Sequence, residues 1–320
     1  MKKRNLFKFA MLFALFTAFL TFTSCSSDDN TKEKDEIIDP KPDPDPTPNP
    51  DPKETNFFKH KTLVEDYTSV GCPACPYAAF ILDELQTTSI KDKIITVTVH
   101  DDYGSTKDPY RLKNINDYVK LMKPKFLPSI YWVRDSKAWA LQNNFIDGED
   151  TSNGPRYFIN QDAVLGAIEK LNIIKEKSNI GIKIESQLTK TAGEVKVSLQ
   201  FTNDINEELK YVVYLIEDDL KYKQANSTPL YGNNTGKGRW ENNFMHQHVL
   251  RAANNFAGIK VAANETIKAK EFKTTVALEN YTLDNLEKTS VVVVILDKNG
   301  KALNAQIAKA NTTQDYEIVK

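Results

Sequence analysis

The distribution of apolar positions divides the chain into four stretches. Residues Phe9 to Phe22 are almost uninterruptedly apolar and follow Lys2, Lys3, Arg4 and Lys8. At fourteen residues this run is shorter than the about 20 that a membrane-spanning helix needs. A basic start, a short apolar core and small residues behind it make residues 1–24 a secretory signal. Residues 25–56 hold few apolar positions, and from Pro40 to Pro52 every second residue is proline. Periodicity returns at residue 57. Thr62–Tyr67 and Ile94–Val99 read as strands, the second ending at His100, and Pro128 opens a third within Phe126–Val133. Between them Ala78, Ile81, Leu82 and Leu85, then Leu112, Ile115, Val119 and Met122, recur at helical spacing, and Gln161–Lys175 reads as a closing helix. Strands alternating with helices over 57–177 predict an α/β domain with crossover connections.

From Asn179 the pattern holds strands alone. IGIKIESQL, EVKVSLQFT, LKYVVYLIE, FMHQHVLRA, IKAKEFKTTVAL, TSVVVVILD and LNAQIAKA are period-2 or continuously apolar runs separated by turn residues. Seven short strands over 178–320 predict an all-β domain, a β-sandwich of immunoglobulin-like type. The connection from Asn226 to Asn243 reads as a long loop rich in Gly, Asn and aromatic residues, the kind of segment that carries binding on a rigid scaffold. His246 and His248 fall at i, i+2 on one predicted strand and so share a face. No third ligand stands at a metal-binding spacing, so packing or hydrogen bonding is the favoured role.

Charge alters the picture only when divided by segment. The 42 Lys+Arg and 43 Asp+Glu of the 320 residues nearly cancel, which excludes nucleic-acid binding through bulk basicity. Residues 26–56, however, hold ten acids and four bases. With proline at alternate positions this stretch is expected to be polyproline II, a semi-rigid acidic spacer whose proline run spans roughly 40 Å. It follows Cys25, which stands directly behind Thr23 and Ser24 and resembles the lipidated cysteine of bacterial lipoproteins. The expectation is a folded region tethered to a membrane through lipid at Cys25.

The two remaining cysteines form Cys72-Pro73-Ala74-Cys75 where a strand is predicted to turn into a helix. A thiol at a helix N-terminus is favoured as thiolate by unpaired N–H groups and the helix dipole, and Pro73 suits the first turn. Cys75, one turn on, can resolve a mixed disulfide. The arrangement resembles the thioredoxin fold. That resemblance implies a cis Leu127-Pro128 bond beside the cysteines, with neighbouring backbone that pairs with extended substrate. It also implies a buried acid near Asp66, with Glu65 pointing to the opposite face of the strand. Gly71 stands where thioredoxins usually carry Trp, and the Gly-Pro interior is absent. Cys72, Cys75 and His100 form a candidate soft-metal set, but a structural His100 is favoured, and no metal or cofactor is assigned.

Taken with TLVEDYTSVGCPACPYA, the strand ending at His100, the Pro128 strand and HQHVLRA, the chain resembles the Omp28-related outer-membrane lipoproteins over nearly everything after the spacer. The resemblance implies a lipid-anchored outer-membrane address, facing the periplasm or the cell surface, and a thioredoxin-like domain joined to a β domain. Two functions follow. In one, Cys72 attacks disulfides of envelope proteins, Cys75 resolves, and Pro128 and Asp66 serve the site. In the other, the chain is a surface binding or adhesion module whose Cys72-Cys75 disulfide is structural.

Overall fold

The structure, a computed structural model, describes residues 56–135, 143–152, 154–231, 239–268 and 270–319. The signal, Cys25 and the proline spacer lie outside the described residues. The principal elements in chain order are β1 (Thr62–Thr68), α1 (Cys75–Leu85), β2 (Ile94–His100), α2 (Ile115–Met122), β3 (Ser129–Trp132) and α3 (Gln161–Lys170). Nine further strands follow: β4 (Ile180–Leu188), β5 (Gly193–Phe201), β6 (Lys210–Glu217), β7 (Leu220–Asn226), β8 (Arg239–His246), β9 (Val249–Ala253), β10 (Phe272–Leu278), β11 (Thr289–Leu296) and β12 (Ala302–Lys309). The described residues are mostly β, with three α-helices.

The largest sheet has eight strands in the order β12-β11-β6-β9-β2-β1-β3, with the short strand Ile259–Lys260 also on β6. β2 lies parallel to β1, as a crossover through α1 requires, and β3 runs antiparallel to β1. The junction between the two expected domains is a parallel contact of β9 with β2 at Val249 and Thr98, where the Thr98 N–H donates to the His248 carbonyl at 2.8 Å. Strands from both sides of residue 177 therefore hydrogen-bond into one sheet, and residues 54–320 form one compact unit. A second sheet joins β10, β5, β4 and the short strand Thr313–Gln314.

Alternation explains how one sheet serves two cores. In β6, Val212, Tyr214 and Ile216 pack with the helices, while Tyr211, Val213 and Leu215 pack against the second sheet. In β11, Val292 and Val294 face the first core, and Val291, Val293 and Ile295 the second. A strand buried on both faces must be apolar at every position, and this is why TSVVVVIL is unbroken.

Two stretches differ from the sequence reading. FMHQHVLRA is not one strand: it splits into β8 and β9 at His248, whose φ of 56° turns the chain. The Asn226–Asn243 connection is not simply a loop, because β7 and β8 pair as an antiparallel hairpin with Leu220 opposite His246 and Asn226 opposite Arg239. The apolar positions that mark β7 are few, with Lys221, Tyr222 and Lys223 all exposed, so periodicity is a weak signal there.

Candidate functional site

The β1–α1 turn places both cysteines at the end of the parallel strands. Cys72 and Cys75 are joined in a disulfide, and their relative exposures are 1% and 2%. The helix begins at Cys75, so Pro76 rather than Pro73 occupies its first turn. Pro73 lies within a turn in which the Cys75 N–H donates to the Cys72 carbonyl at 3.3 Å. Gly71 is required by packing: a Cβ there would stand 2.7 Å from Thr106 Cβ, so the segment behind the turn leaves no room for the Trp of thioredoxins. The Leu127-Pro128 bond is cis, and β3 starts at the next residue.

What holds the cysteine turn comes from far along the chain. Gln224 Nε2, on β7, donates to the Ser69 carbonyl at 3.1 Å and to the Cys72 carbonyl at 2.9 Å. The Ala225 N–H donates to Val70 O and the Ser227 N–H to Pro73 O, both at 2.8 Å, and Ser227 Oγ adds a 3.0 Å bond to Pro73 O. Four carbonyls of the cysteine turn are thus held by the hairpin, a contact that no local sequence pattern announces.

Asp66 and Cys75 line one cavity of about 30 Å³, together with Thr96, His100 and His246. Asp66 is 2% exposed, its Oδ1 makes no hydrogen bond within the protein, and burial, with Asp83 adding to it, pushes its carboxyl up to about 7. His100 Nδ1 meets Asp108 Oδ2 at 2.8 Å, while its Nε2 has no hydrogen bond within the protein. Asp108 also accepts from the N–H groups of Val70 and Tyr110. Burial alone would raise the Asp108 carboxyl, but His100 and these two N–H groups hold it below the usual range.

His246 stacks edge-on to His100, with ring centroids 5.3 Å apart, and burial followed by the neighbouring His100 lowers its pKa to about 3. It does not share a face with His248. That residue, past the end of β8, pairs its Nδ1 with Asp218 at 2.9 Å. Both histidines are thus in packing or hydrogen-bonding environments. Among the described residues no group of three His, Cys, Asp or Glu side chains is placed to hold a metal ion.

Glu65 points the other way, as strand alternation requires. It is fully buried and accepts from the hydroxyls of Tyr118, of Tyr214 at 3.3 Å and of Tyr67 at 2.9 Å, with Arg134 Nε at 3.5 Å. Arg134 also donates to the Phe256 carbonyl at 2.8 Å. This network joins β1, α2, the turn after β3, and β6. Its members are up to 149 residues apart, and no local pattern in the sequence connects them.

No curated protein sequence matches the chain. Its structure is similar to that of HBP35 of Porphyromonas gingivalis, with a TM-score of 0.52 over 80% of this chain and 76% of that one, at 13% sequence identity, a likeness of fold alone. The family described as outer membrane protein Omp28 matches residues 146–314, a span that includes the β7–β8 hairpin and stops short of the cysteines. The chain belongs to the Omp28 outer membrane protein family.

Proposed function

We propose that this protein is an outer-membrane thiol-disulfide exchange module, anchored through lipid at Cys25 and facing envelope proteins, with a thioredoxin-like site on a larger β-rich body. The observation that carries this reading is the buried Asp66 carboxyl, unpartnered at Oδ1 and lining the same cavity as Cys75. A carboxyl with a pKa of about 7 is poised to give or take a proton at neutral pH. In the oxidised form a substrate thiolate attacks the Cys72 sulfur and breaks its bond to Cys75. The Cys75 sulfur leaves as thiolate and takes a proton from Asp66. A second substrate thiol, losing its proton to solvent, then attacks the mixed disulfide and releases Cys72. Two electrons pass from the substrate dithiol to the cysteine pair.

Cys75→Ser cannot form the pair and so runs the exchange in reverse: the Cys72 thiolate attacks a disulfide of an envelope protein, and one substrate sulfur leaves as thiolate. With no Cys75 to resolve the adduct, mixed disulfides are expected to accumulate on non-reducing gels. Absence of any such adduct, in cells and with purified envelope fractions, removes this reading.

The burial of both sulfurs supports a second reading, in which the disulfide is structural and the body is a binding or adhesion module. A reduction potential below about −300 mV would identify a bridge of that kind.

A further inference from the structure

β7, and Ser227 just past its end, bond the cysteine turn through main-chain donors without pairing to it as a strand. Two main-chain donors at alternate positions, Ala225 and Ser227, face carbonyls of the turn, and the intervening Asn226 side chain turns away to the Leu230 carbonyl at 2.9 Å. Alternate N–H groups directed at an acceptor edge are the signature of β-augmentation, in which an extended peptide is read through its main chain. The side chain that reaches inward beside them is Gln224, itself 2% exposed and bonded to the carbonyls on either side of the Val70-Gly71 step. The outer face of the same hairpin is the opposite in character. Lys221, Lys223, Trp240 and Met245 are exposed, with Lys223 Nζ 4.6 Å from the Trp240 ring centroid. The hairpin is a separate two-stranded sheet, not part of either large one. Besides its contacts with the turn, it is secured to α1 by the Tyr231 hydroxyl on Asp83 at 3.0 Å and by Tyr231 edge-on to Phe80 at 5.9 Å.

We propose that β7 is a resident occupant of the edge at which an extended polypeptide substrate is read, so that the hairpin must lift before the Cys72–Cys75 disulfide exchanges. The inference rests on the exchange reading and supplies its regulation and substrate class. The substrate is a dithiol-bearing segment in extended conformation whose main-chain N–H groups, two residues apart, replace those of Ala225 and Ser227. Two neutral side-chain hydrogen bonds close the hairpin through Gln224. Their loss is expected to raise the open population about tenfold.

The test measures reduction of the full-length oxidised protein by excess dithiothreitol, with released thiols counted by alkylation and mass spectrometry. Gln224→Ala is expected to react about tenfold faster than the wild type, and Ser227→Ala, which alters an exposed side chain, about threefold faster. In the wild type, the Ala225 and Ser227 amides should exchange hydrogen through a common opening, and Gln224→Ala should speed that opening and the reduction by the same factor. If opening accelerates and reduction does not, the hairpin is no gate and the proposal fails. Should Gln224→Ala not fold, Ser227→Ala and wild-type exchange still decide the question, because reduction faster than amide opening also overturns the gate. Dithiothreitol is not an envelope protein, so this outcome is independent of whether Cys75→Ser traps any. A greater yield of adducts from Cys75→Ser when Gln224→Ala is added would support both readings together.

Discussion

Glu65 and Asp66 are neighbours on one strand, both almost wholly buried, and their surroundings are opposites. Glu65 sits among three tyrosine hydroxyls and the Arg134 guanidinium. Burial holds the Tyr67 and Tyr118 hydroxyls well above the ordinary tyrosine value, so they remain protonated donors. Asp66, one residue on, faces a small cavity with an oxygen that no protein group satisfies. The contrast shows that burial alone does not assign a role. A satisfied carboxylate fixes structure, tying β1 to β6, whereas an unsatisfied one remains available to a proton. The separation comes from the period of two along the strand, which sends adjacent acids to opposite faces of the sheet.

The largest expected effect is on the satisfied side. Glu65→Gln removes the charge opposite a buried guanidinium, and uncompensated buried charges of this kind cost about 3–5 kcal/mol. Urea unfolding at pH 7 would read it. A loss under about 1 kcal/mol would mean that the tyrosines and the Phe256 carbonyl satisfy Arg134 unaided, and the two acids would then differ less than the geometry implies.

On the other side the sign reverses. The folded-state pKa of Asp66, about 7, lies above the unfolded value. The folded protein therefore holds this proton more tightly, and the contribution to stability is complete below about pH 4 and lost as pH rises through 7. Asp66→Asn is expected to remove that slope and to be more stable than the wild type by about 2–4 kcal/mol at pH 8, with the difference vanishing near pH 4. Denaturant unfolding of both proteins at several pH values measures it. A parallel pair of profiles would place Asp66 among ordinary, solvated acids.

These features are unequally legible in the sequence. β1, α1, β2 and β3 follow from runs whose own composition dictates them, and the opposite facing of Glu65 and Asp66 follows from alternation alone. The Cys72–Cys75 pair is visible as a motif. Its environment is not, because Gln224, Ala225 and Ser227 lie in or beside a strand with three consecutive exposed residues and no apolar period. The partners of Glu65 are equally hidden: Tyr118, Arg134 and Tyr214 each look unremarkable in local context, and only the shared eight-stranded sheet brings β6 to β1's neighbourhood. The single sheet leaves no trace in the sequence either, since the β9–β2 pairing that continues it has one paired position and no signature of its own.

The smallest effect tests what raises Asp66. Burial is the larger cause and the Asp83 charge the lesser. Asp83 stands exposed on α1, where water and salt screen its field. Asp83→Asn keeps an oxygen to accept from the Tyr231 hydroxyl and deletes only the charge. Carbon-13 titration of the Asp66 carboxyl is therefore expected to move its midpoint down by less than about one unit, still far above the ordinary aspartate value. The same small shift should appear in the wild type on raising salt, because screening acts on the Asp83 field and not on burial. A fall to the ordinary range in Asp83→Asn would show that charge repulsion, not the cavity, sets the proton affinity of Asp66. The contrast with Glu65 would then arise at the surface of α1 rather than in the interior of β1.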